Sequence, residues 1–312
     1  MAPRIGYLLP TRERVMSGEP ETGPMLALAE RAESLGYDSL WVGDSITARP
    51  RHEPLTLLAA VAARTRRPEL GTAVLLPALR NPVVLAHSIA TLDQISEGRF
   101  ILGVGIASDV PNIRAEFVAC GVPFEHRVGR MLEGLRLMRE LWTGKPVTWN
   151  GRWAIENGTV GPMPYRAGGP PIWIGGMVRA AIERTGKHFD GWFPNGPEAS
   201  RWGENWREVQ NFAREAGRDP GKLVGAIYLT LTIDDDASRA DQRMNAYLEH
   251  YYGRPAAELR ARQTTYAGPA SGAADYLAAY AEAGASHIML RFAGDHERHL
   301  DVGAHIRQRL GW

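Results

Sequence analysis

Eight short apolar runs, each followed by a stretch with helical spacing, constrain this chain more than any other feature. The runs are RIGYLLP (4–10), DSLWVG (38–43), ELGTAVLL (69–76), RFILGVG (99–105), PPIWIGG (170–176), DGWFP (190–194), LVGAIYLTLTI (223–233) and SHIMLRF (286–292). Aliphatic and β-branched runs this short, bounded by Gly and Pro, suit strands buried on both faces of a parallel sheet. Between them, apolar residues recur three and four apart over 25–35, 54–66, 82–95, 130–142 and 274–283. Gly36 stops the first of these patterns, as expected of a residue just past a helix end. Pro54 and Pro82 open two others, at a position where a missing N–H costs little.

Eight strand–helix repeats in 312 residues predict an α/β fold, a single (β/α)8 TIM barrel covering 1–312 as one domain. A doubly wound sheet would also alternate, but it opens on a glycine-rich phosphate turn. Here the first strand runs into PTRERVMSGEP, which has none. The main insertion, about 144–169, lies between the fourth helix and the fifth strand. Its alternating KPVTWNGRWAIEN predicts a β-hairpin with Asn150-Gly151 at the centre of a tight turn. Trp149 and Trp153 are expected to pack that hairpin.

Composition removes several function classes. Lys and Arg number 36 against 35 Asp and Glu, for a net charge of +1, and the signs are mixed along the chain. Without a basic run or a basic amphipathic stripe, neither nucleic acid nor a membrane surface is an expected partner. The longest apolar stretch, 55–63, is too short to span a bilayer. The single cysteine, Cys120, has no intrachain partner, and no Cys/His cluster has zinc spacing, so no metal is expected. Since the chain goes directly into a strand with no leader pattern, a cytoplasmic location is expected.

Barrel active sites gather at the C-terminal ends of the strands. That selects Pro10-Thr11, Asp44-Ser45, Leu76-Pro77, 106–109, Gly175 to Met177, Asn195-Gly196 and Arg291. Strand 1 ends without His-x-His, and His87 and His188 read as helix-surface or packing residues, so metal hydrolysis fits poorly. No G-x-S-x-G elbow is present either. Small polar groups and backbone remain, which suits a site where a cofactor carries the reaction. In PPIWIGGMVRAA two glycines lead a strand into a helix. Free N–H groups and the helix dipole there favour a phosphate, or the glycines simply make a tight turn. Asp44 either contacts a ligand or caps its loop, and Ser108-Asp109 either line the site or form an ordinary turn. Arg291 is expected to pair with a barrel carboxylate, the alternative being an anion at the strand end. His52, on a loop near the mouth, is a further candidate acid or base.

Several segments together resemble the bacterial luciferase-like superfamily of flavin monooxygenases and deazaflavin-dependent oxidoreductases. They are AERAESLGYDSLWVGDS (29–45), the stretch from AARTRRPELGTAVLLP to RFILGVG (62–105), RMLEGLRLMRELWTG (130–144), PPIWIGG, DGWFP and YLAAYAEAGASHIMLRF (276–292). The resemblance implies Asp44, Ser45 and Ser108 as catalytic positions. Ala73 and Val74 match a strand-3 bulge behind the flavin ring, where many relatives carry a non-proline cis peptide and others a trans bond. Ile106 and Ala107, with Ser108, match the turn under the ring, and Gly175, Gly176 and Met177 match the phosphate-binding backbone. Members usually carry a histidine where this chain has Ser45. Deazaflavin sugar-phosphate dehydrogenases carry an acidic residue where it has Ser108. Both changes remove a proton-transfer group. They argue against that one activity and favour a monooxygenase acting on a small organic substrate. Its cosubstrate would be reduced FMN, supplied by a separate flavin reductase. The alternatives are a deazaflavin-dependent reductase or dehydrogenase and a non-catalytic flavin-binding protein; a homo-oligomer is compatible with each.

Overall fold

A computed structural model describes residues 2–312. Its strands are β1 (Arg4–Leu8), β2 (Ser39–Val42), β3 (Glu69–Thr72), β4 (Phe100–Val104), β5 (Val147–Asn150), β6 (Ala154–Gly158), β7 (Ile172–Ile174), β8 (Gly191–Trp192), β9 (Val224–Ile233), β10 (Thr265–Gly268) and β11 (His287–Phe292). Parallel pairing runs β1-β2-β3-β4-β7-β8-β9-β11 and returns to β1, closing an eight-stranded barrel. These eight are the apolar runs of the sequence, in order. The helices expected from spacing form as Gly23–Ser34, Pro54–Arg64, Pro82–Ile95, Arg127–Leu141 and Ala270–Glu282. Asn81 caps the third, its side chain accepting from Val83 N and Val84 N. Among the described residues no helix is long and apolar enough to cross a membrane.

One strand was not foreseen. β9 is ten residues long, and its last four lie beyond the reach of β8, so their edge on that side would stand open. β10 covers that edge, pairing Thr265 with Thr230 and Gly268 with Ile233. Its four residues, three of them half-buried, carry too little apolar pattern to be read from sequence.

The insertion is antiparallel, as expected, but its turn is displaced. Asn150 pairs with Ala154, so the loop is Gly151 to Trp153 and Asn150 belongs to the strand. The displacement has a partner outside the hairpin. Glu133, on the helix Arg127–Leu141, accepts from Arg152 N at 2.7 Å and also takes the Arg152 guanidinium. Trp153 lies under Arg130, 4.8 Å from guanidinium carbon to ring centre.

Aromatic rings fill the barrel interior. Trp41 of β2 lies 5.4 Å from Trp173 of β7 and 4.8 Å from Phe193, centre to centre. Such rings fit because neighbouring strands present glycine to them. A methyl on Gly6 would stand 2.7 Å from the Trp41 indole nitrogen, and one on Gly191 would stand 2.6 Å from the Trp173 ring. A methyl on Gly71 of β3 would overlap the Trp41 ring itself. Below the rings, the Trp41 indole N–H donates to Ser39 Oγ at 2.7 Å, and Ser39 Oγ lies 2.7 Å from His287 Nε2. Ser39 Oγ thus bridges the indole and the buried imidazole. Burial, reinforced by Arg4, holds the His287 pKa down to about 3.

Two outcomes are expected. Because Trp41 is fully buried and cannot swing away, Gly71→Ala should cost about 3 kcal/mol or more, the upper end of overpacking. Denaturant unfolding measures it, and a variant as stable as the parent would show that the ring has room to move. His287 binds a proton near pH 6.5 when unfolded but only near pH 3 when folded. Its contribution to stability is therefore complete above pH 6.5 and is lost as pH falls toward 3. Between pH 7 and pH 5 the parent should lose about 2 kcal/mol more than His287→Gln. Parallel pH–stability curves would contradict this.

Candidate functional site

At the C-terminal mouth of the barrel lies a cavity of about 330 Å³. One half of its wall is backbone and small side chains. After β3 the chain leaves the ladder at Ala73 and Val74, whose peptide is cis, and rejoins it where Leu75 N donates to Gly103 O. Val74 leans over Gly105, where a methyl would stand 2.5 Å from its Cγ2. Ile106 and Ala107 continue the wall. Ala107 holds a left-handed φ of 61°, and Arg127 Nε secures the turn by donating to Ile106 O at 2.9 Å. Such a φ is uncommon for alanine and marks a turn that its surroundings impose.

Gly175 and Gly176 follow β7 and also line the cavity. Gly176 has φ 126°, a region essentially reserved for glycine, and a methyl there would stand 2.9 Å from Ala181 Cβ. Its carbonyl accepts from Trp192 Nε1 at 2.8 Å. The helix Arg179–His188 begins immediately afterwards, and no side chain caps its N-terminus. First-turn N–H groups without a side-chain acceptor, at the positive end of a helix dipole, form a ready anion site.

The other half of the wall carries charge and phenols: Arg49 and Arg51 after β2, Tyr228 on β9, Arg291 on β11, and Tyr251 and Tyr252 at the end of the helix Ala237–Tyr252. Arg291 is 2% exposed. It donates to Thr230 Oγ1 at 2.8 and 3.1 Å, to Tyr252 OH at 2.7 Å and to Gln263 Oε1 at 3.1 Å. Burial pushes the Tyr252 phenol up, but the Arg291 charge and hydrogen bond, with Arg49 and Arg51, outweigh it and bring it below the ordinary tyrosine value.

The family described as luciferase-like monooxygenase matches residues 3–310. The chain belongs to that family. Among similar proteins, the 5,10-methylenetetrahydromethanopterin reductase of Methanolobus tindarius is 32% identical over 212 residues. The match takes in 68% of this chain and 62% of the reductase, less than two thirds of its length. An F420-dependent glucose-6-phosphate dehydrogenase of Nocardia farcinica is 29% identical over 307 residues, 89% of this chain and 90% of the dehydrogenase. The solved monooxygenase RslO1 from Streptomyces bottropensis has the same fold, with a TM-score of 0.84 at 22% identity over 99% of this chain and all of its own. The dehydrogenase depends on the deazaflavin F420, and a riboflavin lyase of the same fold, with a TM-score of 0.78 at 16% identity, was solved with modified FMN. This chain is accordingly a luciferase-like oxidoreductase.

In this luciferase-like enzyme, Ala73, Val74, Ile106, Ala107, Gly175 and Gly176 come together in one wall of the cavity. Met177 does not: it is 39% exposed, outside the wall and beside Gly196. Asp44, Ser45 and Ser108 reach the cavity, but two of them are held by the protein. Asp44 accepts from Leu76 N at 2.9 Å and from both terminal nitrogens of Arg80 at 2.6 and 3.0 Å. Ser45 donates to Glu116 Oε1 at 2.8 Å and accepts from Arg49 N at 2.9 Å. Ser108 is exposed, and its neighbour Asp109 pairs with Arg114. His52 lies outside the cavity, its ring nitrogens reaching Thr11 O and Pro20 O.

The expectation for Arg291 is corrected. Among the described residues no carboxylate lies within 4 Å of it; its partners are neutral hydroxyls and an amide. Sequence reading also missed Arg49, Arg51, Tyr228, Tyr251 and Tyr252. The available signals were the Arg-Pro-Arg of 49–51 in the loop after strand 2 and the tyrosine doublet at 251–252. Neither stands out without the knowledge that both point into one mouth.

Glu116 was not singled out either. Its side chain is fully buried, and Oε1 accepts from Ile46 N, Thr47 N and Ala48 N besides Ser45. One carboxylate oxygen therefore shapes the loop that carries Arg49 and Arg51. Glu116→Ala should cost at least about 2 kcal/mol, because several donors lose their acceptor together. It should also speed amide hydrogen exchange at residues 46–48, measured by mass spectrometry. Unchanged exchange there would mean the loop holds its shape without Glu116.

Proposed function

We propose that this luciferase-like oxidoreductase moves a hydride between a bound deazaflavin and a polar small-molecule substrate. The observation that carries the reading is the chemistry of the wall facing the cofactor half. Arg49, Arg51, Arg291 and three tyrosines line it, whereas oxygen insertion into an apolar substrate calls for a dry, apolar chamber. Hydride transfer to a polar substrate tolerates, and uses, such a wall. The reading therefore takes the deazaflavin alternative over the reduced-FMN monooxygenase that Ser45 and Ser108 favoured. Similarity to a methanopterin reductase and to an F420-dependent dehydrogenase supports it.

The residues present fit such a group. Gly175, Gly176 and the uncapped start of Arg179–His188 would hold its phosphate. Ala73, Val74, Gly105, Ile106 and Ala107 would seat the ring, with the Trp41–Trp173–Phe193 stack beneath them as a rigid floor. The deazaflavin supplies or accepts a hydride and has little reactivity with oxygen. In this reading Asp44 and Ser45 position the loops through Arg80 and Glu116, and Ser108 lies toward the entrance. Binding, orientation and exclusion of water are the protein's contributions.

Side-by-side anaerobic titration of the apo-protein with reduced deazaflavin and reduced FMN, followed by admission of air, tests the proposal. Deazaflavin should bind at least tenfold more tightly, and no substrate-dependent oxygen uptake should appear. Tighter FMN binding with oxygen uptake would restore the monooxygenase reading. Gly176→Ala should weaken whichever cofactor binds.

A further inference from the structure

We propose that Arg49, Arg51 and Arg291, arranged around Tyr251 and Tyr252, form a preformed oxyanion site for a carboxylate or phosphate group of the substrate. That the occupant is the substrate rests on the hydride-transfer reading; that the site takes an oxyanion does not.

The case begins with missing counter-charge. Among the described residues, neither these three arginines nor Arg12, which packs on the Tyr251 ring outside the cavity lining, has a carboxylate within 4 Å. Asp44, the acidic side chain in the cavity wall, is engaged by Arg80, and Glu13 accepts from Tyr247 at 2.5 Å. A buried guanidinium without an anion is costly, so its retention calls for a use. The cluster keeps its cations in place by other means. Arg12 sits 5.0 Å from the Tyr251 ring centre, Arg49 5.0 Å from that of Tyr252, and Arg51 6.0 Å from that of Tyr251. Four tyrosine rings lie 5.1 to 5.5 Å from the Arg291 guanidinium carbon. Aromatic faces attract cations without neutralising them. Backbone and amide contacts fix the directions: Arg12 Nε donates to Tyr251 O at 3.1 Å, and Arg51 Nε to Arg49 O at 3.1 Å.

A free donor supplies the second observation. Arg291 has five N–H groups, and its bonds to Thr230, Gln263 and Tyr252 leave one Nη1 hydrogen unengaged beside the cavity. Burial, with repulsion from Arg51 and Arg49, lowers the Arg12 pKa, whereas the neighbouring phenols, joined by Asp44 at Arg51, outweigh burial and raise those of Arg51 and Arg291.

Barrel topology says which anion belongs here. The turn after β7 follows the fifth strand of the ring, whereas the cluster hangs from the segment after β2 and from β11, the strands on either side of β1. In an eight-stranded ring the first position lies opposite the fifth. The cluster thus faces the cofactor's phosphate from across the mouth, where a substrate laid over the ring would place an acidic group. Paired guanidinium groups recognise carboxylate and phosphate oxygens well.

The test uses apo-protein and inorganic phosphate, with chloride at matched ionic strength as reference, read by calorimetry. Two phosphate sites are expected in the parent. Gly176→Ala should retain the cluster's site, and Arg51→Gln and Arg291→Gln should each weaken that site at least tenfold. Should Arg291→Gln fail to fold, judged by circular dichroism, Arg49→Gln and Arg51→Gln carry the test. Phosphate binding unchanged in all of them overturns the proposal. Competition then identifies the occupant. If deazaflavin bearing its acidic tail displaces phosphate from the cluster, and the cofactor truncated after its phosphate does not, the substrate assignment is overturned. If FMN outcompetes deazaflavin while the arginine variants still lose phosphate, the oxyanion site stands and the hydride-transfer reading fails.

Discussion

The Trp41 ring inside the barrel sets terms that the rest of the molecule meets. An indole pointing inward from a parallel strand occupies the space of two ordinary side chains, and a closed barrel has no slack to give. Glycine therefore stands at Gly6 and Gly71 on the two strands flanking β2, and Gly191 makes the same room for Trp173. The resulting stack of Trp41, Trp173 and Phe193 is a solid floor, against which Ala73 and Val74 pack from the mouth side. A rigid floor matters to a site built largely of backbone, where a shift of an ångström in the ring would misplace the reacting atoms.

Carboxylates near the mouth serve architecture. Asp44 ties the loop after β2 to that after β3 through Arg80 and Leu76 N, and Glu116 gathers the amides of 46–48. Each is buried and directed at protein donors, so neither is left to neutralise the arginines that their loops present. The result is a mouth with two unlike halves. From β3 round to β7 it offers glycines, small residues and helix N–H groups; from β9 through β11 to β2 it offers guanidinium and phenol.

What could be read from the sequence followed the range of the physics involved. Strand identity and order were legible, because apolar runs bounded by Gly and Pro are local signals, and all eight became barrel strands. The glycine and small-residue half of the mouth was legible as well, since Gly175-Gly176 and Ala73-Val74 lie at strand ends that the pattern locates. The cationic half was not. It assembles residues from positions 49, 51, 228, 251, 252 and 291, and no spacing within the chain brings them together. Arg291 shows why: a lone arginine at a strand end suggests a carboxylate partner, and only the fold reveals hydroxyls and an amide in its place. The hairpin turn and β10 escaped for a related reason, each being fixed by contact with a distant element, Glu133 in one case and the overhang of β9 in the other.

This division of the mouth separates two requirements that would otherwise conflict. On the proposed reading, cofactor contacts made by backbone and small residues would depend on the course of the chain, which the aromatic floor holds fixed. Substrate contacts made by long side chains on loops would change without moving that course. Replacing Arg49 or Arg51 alters the charge offered to a substrate while Gly105, Gly175 and Gly176 stay where they are. Replacing Gly71 or Gly176 disturbs the frame on which every contact depends. Ser45 belongs to the frame on this view, even though it occupies a position that the resemblance assigned to chemistry. Its hydroxyl links Glu116 to Arg49 N, so it helps determine where the arginines stand rather than what reaction they assist.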